Sequence, residues 1–527
     1  MKRPSPSYPL SRLGLLLPVL AITVGCSGDT SSDTQGSGSA GTDSMGDGDG
    51  DGDEPIESAS FTHMFGERTL APYEEVTDCV SWTLHNEEPL YVQAVTQSNL
   101  GFFHHSNWFV VPEDMYPGED GYWKCGDRGF SELAAAASGT VLFAQSTQSF
   151  VEDQRTMEGA VVKIPANHTV VAGAHMLNAS PQDITTNLFM TLEVIHPRHV
   201  ETILTPFRLS YLDLDIPPLT KSRFSGNCGD IAGKVSDSTD EPFDMKLHYV
   251  LPHYHYLGDY FSLEMQGGAL DGEKVYELNG FNGEANGRTF DPPLDISDIN
   301  GFSFTCGYDN WRDVSIGWGI GDQEMCVMLG LADTDRLIDA SVTAGSTAVG
   351  TDGDIVNFEG QCGYLIVNKN SGQGPPTAAE IAGDLYVPPV DPNDENIPPI
   401  PECEDADATV TPTLQPTLTS IRDAVFVPSC AFSGCHGAAS QAAGLDLQSA
   451  GLAARLSSHE VAANTTMPLV APGDAEGSWL YQRISRCAPV DDTGVALPNM
   501  PLNAPFLLND EAVGLVRDWI AAGALDN

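Results

Sequence analysis

Over most of the chain, apolar and polar positions alternate in short runs. Leu90-Tyr91-Val92-Gln93-Ala94-Val95 and Gly139-Thr140-Val141-Leu142-Phe143-Ala144 are representative, each lying between turn-forming residues. A period of two puts alternate side chains on one face, which predicts half-buried strands. Pro217-Pro218 interrupts the pattern, which resumes in Met245 to Tyr256, Tyr260 to Met265, Ser315 to Leu331 and Tyr364 to Asn368. Two consecutive all-β units are expected, residues 57–212 and 213–372, each long enough for a two-sheet sandwich. Pro375-Pro376 and the Pro/Asp-rich run from Pro388 to Pro401 mark a linker over residues 373–402. After it the period changes. Asn509-Asp510-Glu511 can cap a helix with Val513, Val516 and Ile520 on one stripe and Leu515, Trp519 and Ala522 beside it. Gly523 is placed to end that helix, and residues 403–527 read as a small helical domain.

The length of 527 residues fits about three such domains. With 52 Gly and 36 Pro the chain favours short strands and many turns over long helices. The formal net charge is −49, and a chain this acidic repels phosphate backbones, so no nucleic-acid partner is expected. Lys2, Arg3 and Arg12 precede an apolar run from Leu13 to Val24 that is too short to span a bilayer. The run ends in Thr23-Val24-Gly25-Cys26, which resembles the lipobox of bacterial lipoproteins. That resemblance implies a signal peptide over residues 1–26, a lipid anchor on Cys26 and export to a compartment where disulfides persist. Ser27 rather than Asp follows the lipidated position, which implies sorting to the outer membrane. Residues 27–56 are Ser, Gly, Asp and Thr and read as a self-repelling tether.

There are 11 cysteines. Setting aside Cys26 and the closely spaced Cys430 and Cys435 leaves an even set, for which roughly a hundred connectivities exist. The expected pairs are Cys79–Cys125, Cys306–Cys326, Cys228–Cys362 and Cys403–Cys487.

His253-Tyr254-His255 is the sharpest chemical signal, because residues i and i+2 of a strand share a face and set two imidazoles side by side. His104-His105 are neighbours, so both reach one metal only where the strand is irregular or ends. His175 is a lone strand histidine, and His248 reads as an ordinary core or surface histidine. Met325, in Glu324-Met325-Cys326, adds a thioether, and a soft sulfur beside imidazoles suits copper cycling between its two oxidation states.

Taken in order, Cys79, His104-His105, Cys125, His175, His253-Tyr254-His255 and Glu324-Met325-Cys326 resemble the motifs of the copper type II, ascorbate-dependent monooxygenases, the peptidylglycine α-hydroxylating and dopamine β-monooxygenase family. The resemblance spans residues of about 60–372 and implies two jelly-roll-type β-sandwiches. It implies an electron-storing copper on His104, His105 and His175, and an oxygen-activating copper on His253, His255 and Met325. It also implies hydroxylation of an activated C–H bond of a small organic substrate by O₂, with ascorbate or another one-electron donor. Three departures bear on the substrate. Leu251 stands where the peptide-amidating enzymes place an arginine, Leu329 stands where they use an aromatic, and one cysteine shortly after the His-His pair is missing. Peptide amidation is therefore not expected, and the substrate pocket reads as apolar.

Cys430-Ala431-Phe432-Ser433-Gly434-Cys435-His436 resembles a c-type haem attachment site with a widened loop, the other reading being a Cys430–Cys435 disulfide beside a bystander histidine. Leu497-Pro498-Asn499-Met500-Pro501 before the last helix resembles the distal half of small exported cytochromes c. That resemblance implies a covalent haem on Cys430 and Cys435, ligated by His436 and Met500. Met467 and His459 are weaker candidates for the sixth ligand. Haem and copper in one chain lead to an expectation of electron delivery from haem to the copper at His104, His105 and His175, with a periplasmic or surface donor upstream. The alternatives are an exported copper and haem electron-transfer lipoprotein without oxygenase activity, and a β-sandwich adhesion or scaffold module whose histidines are structural.

Overall fold

A computed structural model of the chain describes residues 56–527 apart from 145–149, 256, 280–286, 320–322, 370, 390–393, 395–396, 433–434, 462 and 503–506. The signal-peptide and tether readings, and lipidation at Cys26, lie outside the described residues. The fold is mainly β. A five-stranded sheet runs in the order Gly121–Trp123, Glu75–Thr83, His168–Leu177, Phe103–Pro112, Thr140–Ala144. An 11-stranded sheet begins Ser58–Leu70, Ile184–Ile195, Leu90–Asn99, Ala160–Ile164 and continues Thr202–Tyr211, Val327–Asp333, Lys246–His253, Arg288–Asp295. A six-stranded sheet carries Gly258–Gln266, Gly301–Asn310 and Thr220–Cys228 at its centre.

Alternation explains the layering. In the His168–Leu177 strand, Val170, Ala172, Ala174 and Met176 join one core with Trp108, Phe143, Leu188 and Leu192. A second core holds Phe224, Phe261, Phe304, Tyr308, Cys326 and Met328. Each core lies between one of the smaller sheets and one half of the large sheet. The two halves of the large sheet join through parallel pairing of Ala160 and Val161 with Thr202 and Ile203. The Thr202–Tyr211 strand, which the sequence pattern places at the end of the first unit, sends Phe207, Leu209 and Tyr211 into the second core. Periodicity alone marks it as a strand and is silent on which sheet it joins.

The 373–402 segment is tied down onto the first sandwich. Leu385 and Tyr386 pack on the first core. The Glu87 backbone N–H donates to the Tyr386 hydroxyl (2.9 Å), and His196 Nε2 donates to the Gly383 carbonyl (3.0 Å). Asp394 accepts from the Met64 backbone N–H (2.9 Å) and lies 3.1 Å from His63 Nδ1. The C-terminal residues form short helices around a core of Ile421, Phe426, Leu456, Val516 and Trp519. The Asp510–Ala521 helix is capped by Asn509, whose side chain accepts from the Ala512 N–H, and buries Val513, Leu515, Val516, Trp519 and Ile520. Gly523 follows at φ 102°, a left-handed turn that favours glycine. Each of the four expected disulfides is observed. Among the described residues, no helix is long and apolar enough to cross a membrane.

Candidate functional site

The Lys246–His253 strand pairs with Val327–Asp333, setting His253 opposite Val327 and Leu251 opposite Leu329. Val250 and Tyr254 point into the second core, so the alternate positions Leu251 and His253 lie on the other face of the sheet. His255 lies just past the strand end, and its ring centroid is 5.3 Å from that of His253, edge to face. The chain then turns at Gly258, whose N–H bonds back to the His255 carbonyl (3.0 Å). A Cβ at Gly258 would come within 1.9 Å of the Tyr254 ring, so the turn requires glycine.

Glu324 organises this turn. Its carboxyl is fully buried and accepts the backbone N–H groups of Leu257 (2.7 Å), His255 (2.8 Å) and Met325 (3.3 Å). Burial pushes its pKa up to about 8, while those hydrogen bonds and the positive charge of Arg312 pull it back. His255 Nδ1 lies 2.7 Å from the Gln323 carbonyl. A carbonyl only accepts, so Nδ1 carries the proton and Nε2 carries the lone pair. Among the described residues, His253 Nε2 is buried without a hydrogen-bond partner. Burial, reinforced by the neighbouring His255, lowers the His253 pKa to about 3, so the ring is neutral at physiological pH. Met325 is fully buried. It is fixed on both sides: its carbonyl accepts from the Tyr308 hydroxyl (2.7 Å), and the next residue is cross-linked to Cys306. In sequence Met325 follows Gln323 and Glu324, which hold His255, and stands two residues before Val327, the cross-strand partner of His253.

His175 lies on the face of the five-stranded sheet opposite its core, since Ala174 and Met176 point into that core. Its Nε2 is 3.0 Å from Glu75 Oε1. His105 is its cross-strand partner, and the pairing shifts between Phe103 and His105, which makes His104 the extra residue of an irregularity. The irregularity required for adjacent histidines to share a site is present in the backbone. The side chains of His104 and His105 lie outside the described residues. Among the described residues, no group of three His, Cys, Asp or Glu is close enough to hold a metal. A thioether such as that of Met325 is not among those donor types.

In the C-terminal module, His436 Nδ1 donates to the Leu445 carbonyl (3.3 Å), which leaves the lone pair on Nε2. Burial lowers the His436 pKa to about 4. Cys430 is a free thiol, and burial pushes its pKa up to about 12. It is not paired with Cys435, which is disulfide-bonded. Met500 packs against the helical core, and its N–H donates to the Arg483 carbonyl (2.7 Å). Cys435 and Phe432 pack on Leu177, two residues from His175, and the Tyr73 and Ser429 side chains are hydrogen-bonded. The Cys-His turn therefore docks where the His175 strand ends.

Sequence reasoning gave no role to Glu324, Gln323 or Glu75. A buried role for Glu324 has one sequence signal, an acidic residue at the head of the apolar run Met325 to Leu331. Glu75 sits beside Glu74 and has none.

No family model matches the chain, and no curated protein matches it. Solved structures with a similar course include the major capsid protein P2 of bacteriophage PM2, at 7% identity and TM-score 0.24 over 51% of this chain and 97% of that one. The triple jelly-roll turret protein of an archaeal virus gives 9% and 0.15 over 53% and 59%. The PBSX exported protein XepA gives 7% and 0.13 over 52% and 86%. These findings correct the family reading. None of the solved structures named is a copper monooxygenase, and neither family models nor curated proteins supply a copper monooxygenase, a cytochrome c or a lipoprotein relative. The motifs amount to a few donor and cysteine positions scattered over a long chain. Such positions specify donor chemistry, which unrelated sandwiches can carry, and do not establish descent.

Proposed function

We propose that the chain is an exported copper-dependent monooxygenase that hydroxylates an activated C–H bond of a small organic substrate with O₂. The reading rests on donor chemistry and not on kinship. The observation that carries it is the buried His253 Nε2, without a hydrogen-bond partner among the described residues, beside His255 held in the tautomer with its lone pair on Nε2, with the buried Met325 two residues before the cross-strand partner of His253. A buried imidazole nitrogen left without a partner is costly unless something else occupies it. Two neutral imidazoles and a thioether fit copper better than zinc, magnesium or calcium. When bound there, copper supplies one-electron redox chemistry and O₂ activation.

The protein's own contribution is positional. Glu324 holds the backbone of His255 and Leu257, Gln323 orients the His255 ring, and Tyr308 and the Cys306–Cys326 bridge hold Met325. A second copper on His104, His105 and His175 belongs to the same proposal, with Glu75 holding the His175 ring. So does a c-type haem on Cys430, Cys435, His436 and Met500 in a cytochrome c-like module following two jelly-roll-type sandwiches. Its thioether at Cys435 requires that sulfur in the reduced state, so the fit there is incomplete. A group held at the Cys-His turn would lie beside Leu177, near the end of the His175 strand, and ascorbate or a periplasmic or surface donor would supply the electrons. Four disulfides support an oxidising, extracytoplasmic location, with a lipid anchor at Cys26 in the outer membrane.

The test is copper titration of the full chain followed by oxygen uptake. Two coppers per chain and O₂ consumption that depends on a C–H substrate are expected. Copper binding with reducible centres but no substrate-dependent uptake would leave the electron-transfer reading, and no copper binding would remove both.

A further inference from the structure

A cavity of about 120 Å3 lies where the two sandwiches meet, between the Glu132–Ser138 helix and Phe103–Pro112 strand of the first and the Thr202–Tyr211 and Val327–Asp333 strands of the second. Its walls are apolar, with Phe109 and Val141 on one side and Leu329, Leu337 and Ile338 on the other. Leu365, 47% exposed, and Val367, 37% exposed, stand at its rim. Two charged side chains in the lining, Arg208 and Asp339, are bonded to each other, and the second Asp339 oxygen accepts from the Ser341 hydroxyl (2.8 Å). Asn107 and Glu132 form the polar edge.

From this cavity we infer a binding site for an uncharged apolar molecule the size of a single six-membered ring. Cavities of about 150 Å3 with walls of this kind stay dry and take up benzene. Among the described lining residues the cation Arg208 is already paired with Asp339, so none is free to meet an anionic group. The location ties the site to the proposed oxygenase reading, on which its role as a substrate site rests. Leu329 is two positions along its strand from Val327, the partner of His253, or about 7 Å. Asn107 is two residues beyond His105. The bound molecule therefore sits between the strand that carries His104 and His105 and the Val327–Asp333 strand that pairs with the His253 strand, and the substrate class is a hydrocarbon-like ring compound.

The test uses the full chain free of copper, with toluene as probe and benzoate as its charged counterpart. Saturable toluene binding by ligand-observed NMR is expected, with benzoate at least tenfold weaker. Ala136→Trp, which fills the cavity from the helix, should weaken toluene binding at least tenfold. Leu365→Ala, at an exposed position where folding is not at stake, should weaken it severalfold. Absence of saturable toluene binding, equal binding of benzoate, or uptake of detergent monomers in place of toluene would overturn the assignment. If toluene binds but the copper-loaded protein leaves bound rings unoxidised, the oxygenase reading falls while the cavity assignment stands.

Discussion

The Cys306–Cys326 disulfide is the sharpest place to test how Met325 is held. It joins the Gly301–Asn310 strand of the six-stranded sheet to the residue just before the Val327–Asp333 strand of the large sheet, and so staples the two faces of one core. Both sulfurs are fully buried. Cys306→Ala with Cys326→Ala removes the link without leaving a buried thiol or hydroxyl behind. The loop closed spans 20 residues. The chain-entropy relation then gives about 11 cal/mol/K, or about 3 kcal/mol at 25 °C. In a unit of this size each kcal/mol moves Tm by about 2–4 °C, so a fall of about 6–12 °C follows. The loop is nested inside that of Cys228–Cys362, which spans 134 residues. The unfolded chain is therefore already restricted, and the lower end of the range is expected. Scanning calorimetry of the oxidised full chain reads this shift, and competition titration should show weaker copper binding as the Met325 turn loosens. A Tm change below about 2 °C would refute the reasoning that this cross-link, rather than the surrounding packing, holds the turn.

Glu324→Leu takes away the acceptor for the His255 and Leu257 N–H groups. Copper affinity should drop about 10–100-fold, and an unchanged affinity would show that the buried carboxyl does not position the ligand turn. Trp519→Ala empties the centre of the helical module and breaks the bond from its indole N–H to the Leu525 carbonyl (2.9 Å), at a cost of about 3–5 kcal/mol. Near-ultraviolet circular dichroism against denaturant should show that module melting early, and retention of the wild-type midpoint would contradict its place in the core. His248 is buried, and burial lowers its pKa below the ordinary 6.5. The unfolded chain then takes up a proton that the folded chain refuses, so stability present above pH 6.5 is lost as the pH falls below it, by at most about 1.4 kcal/mol per pH unit. His248→Gln should flatten the acid limb of the denaturation profile, and parallel profiles for the two proteins would dismiss the contribution.

What could be read in advance follows from the range of the interactions involved. A period of two marks the Lys246–His253 strand and places Leu251 and His253 on one face, because alternation is a property of neighbouring residues. The cap at Asn509 and the stripe of Val513, Val516 and Ile520 were equally local. The orientation of His255 was not, since it rests on Gln323 and Glu324, 68 and 69 residues away. Likewise His104-His105 read as neighbours on opposite faces until pairing with the His168–Leu177 strand displaced the register between Phe103 and His105. The Pro/Asp-rich segment reads as a free linker because its composition is that of one, yet Tyr386 and Asp394 each find partners more than 290 residues earlier. The proposed donor residues stand at places where strand regularity fails: a strand end at His253, a turn at His255, a shifted register at His104 and a strand approach at Met325. Regular pleats fix a side chain by its neighbours in the chain. Sites at their ends are fixed by whatever buried group reaches back to them, here one carboxyl at Glu324 and one sulfur bridge at Cys326. That dependence also explains why a handful of matching donor positions is weak evidence of kinship. The donors state which chemistry is wanted, while the distant groups that place them decide whether it is achieved, and those groups leave little trace in a short motif.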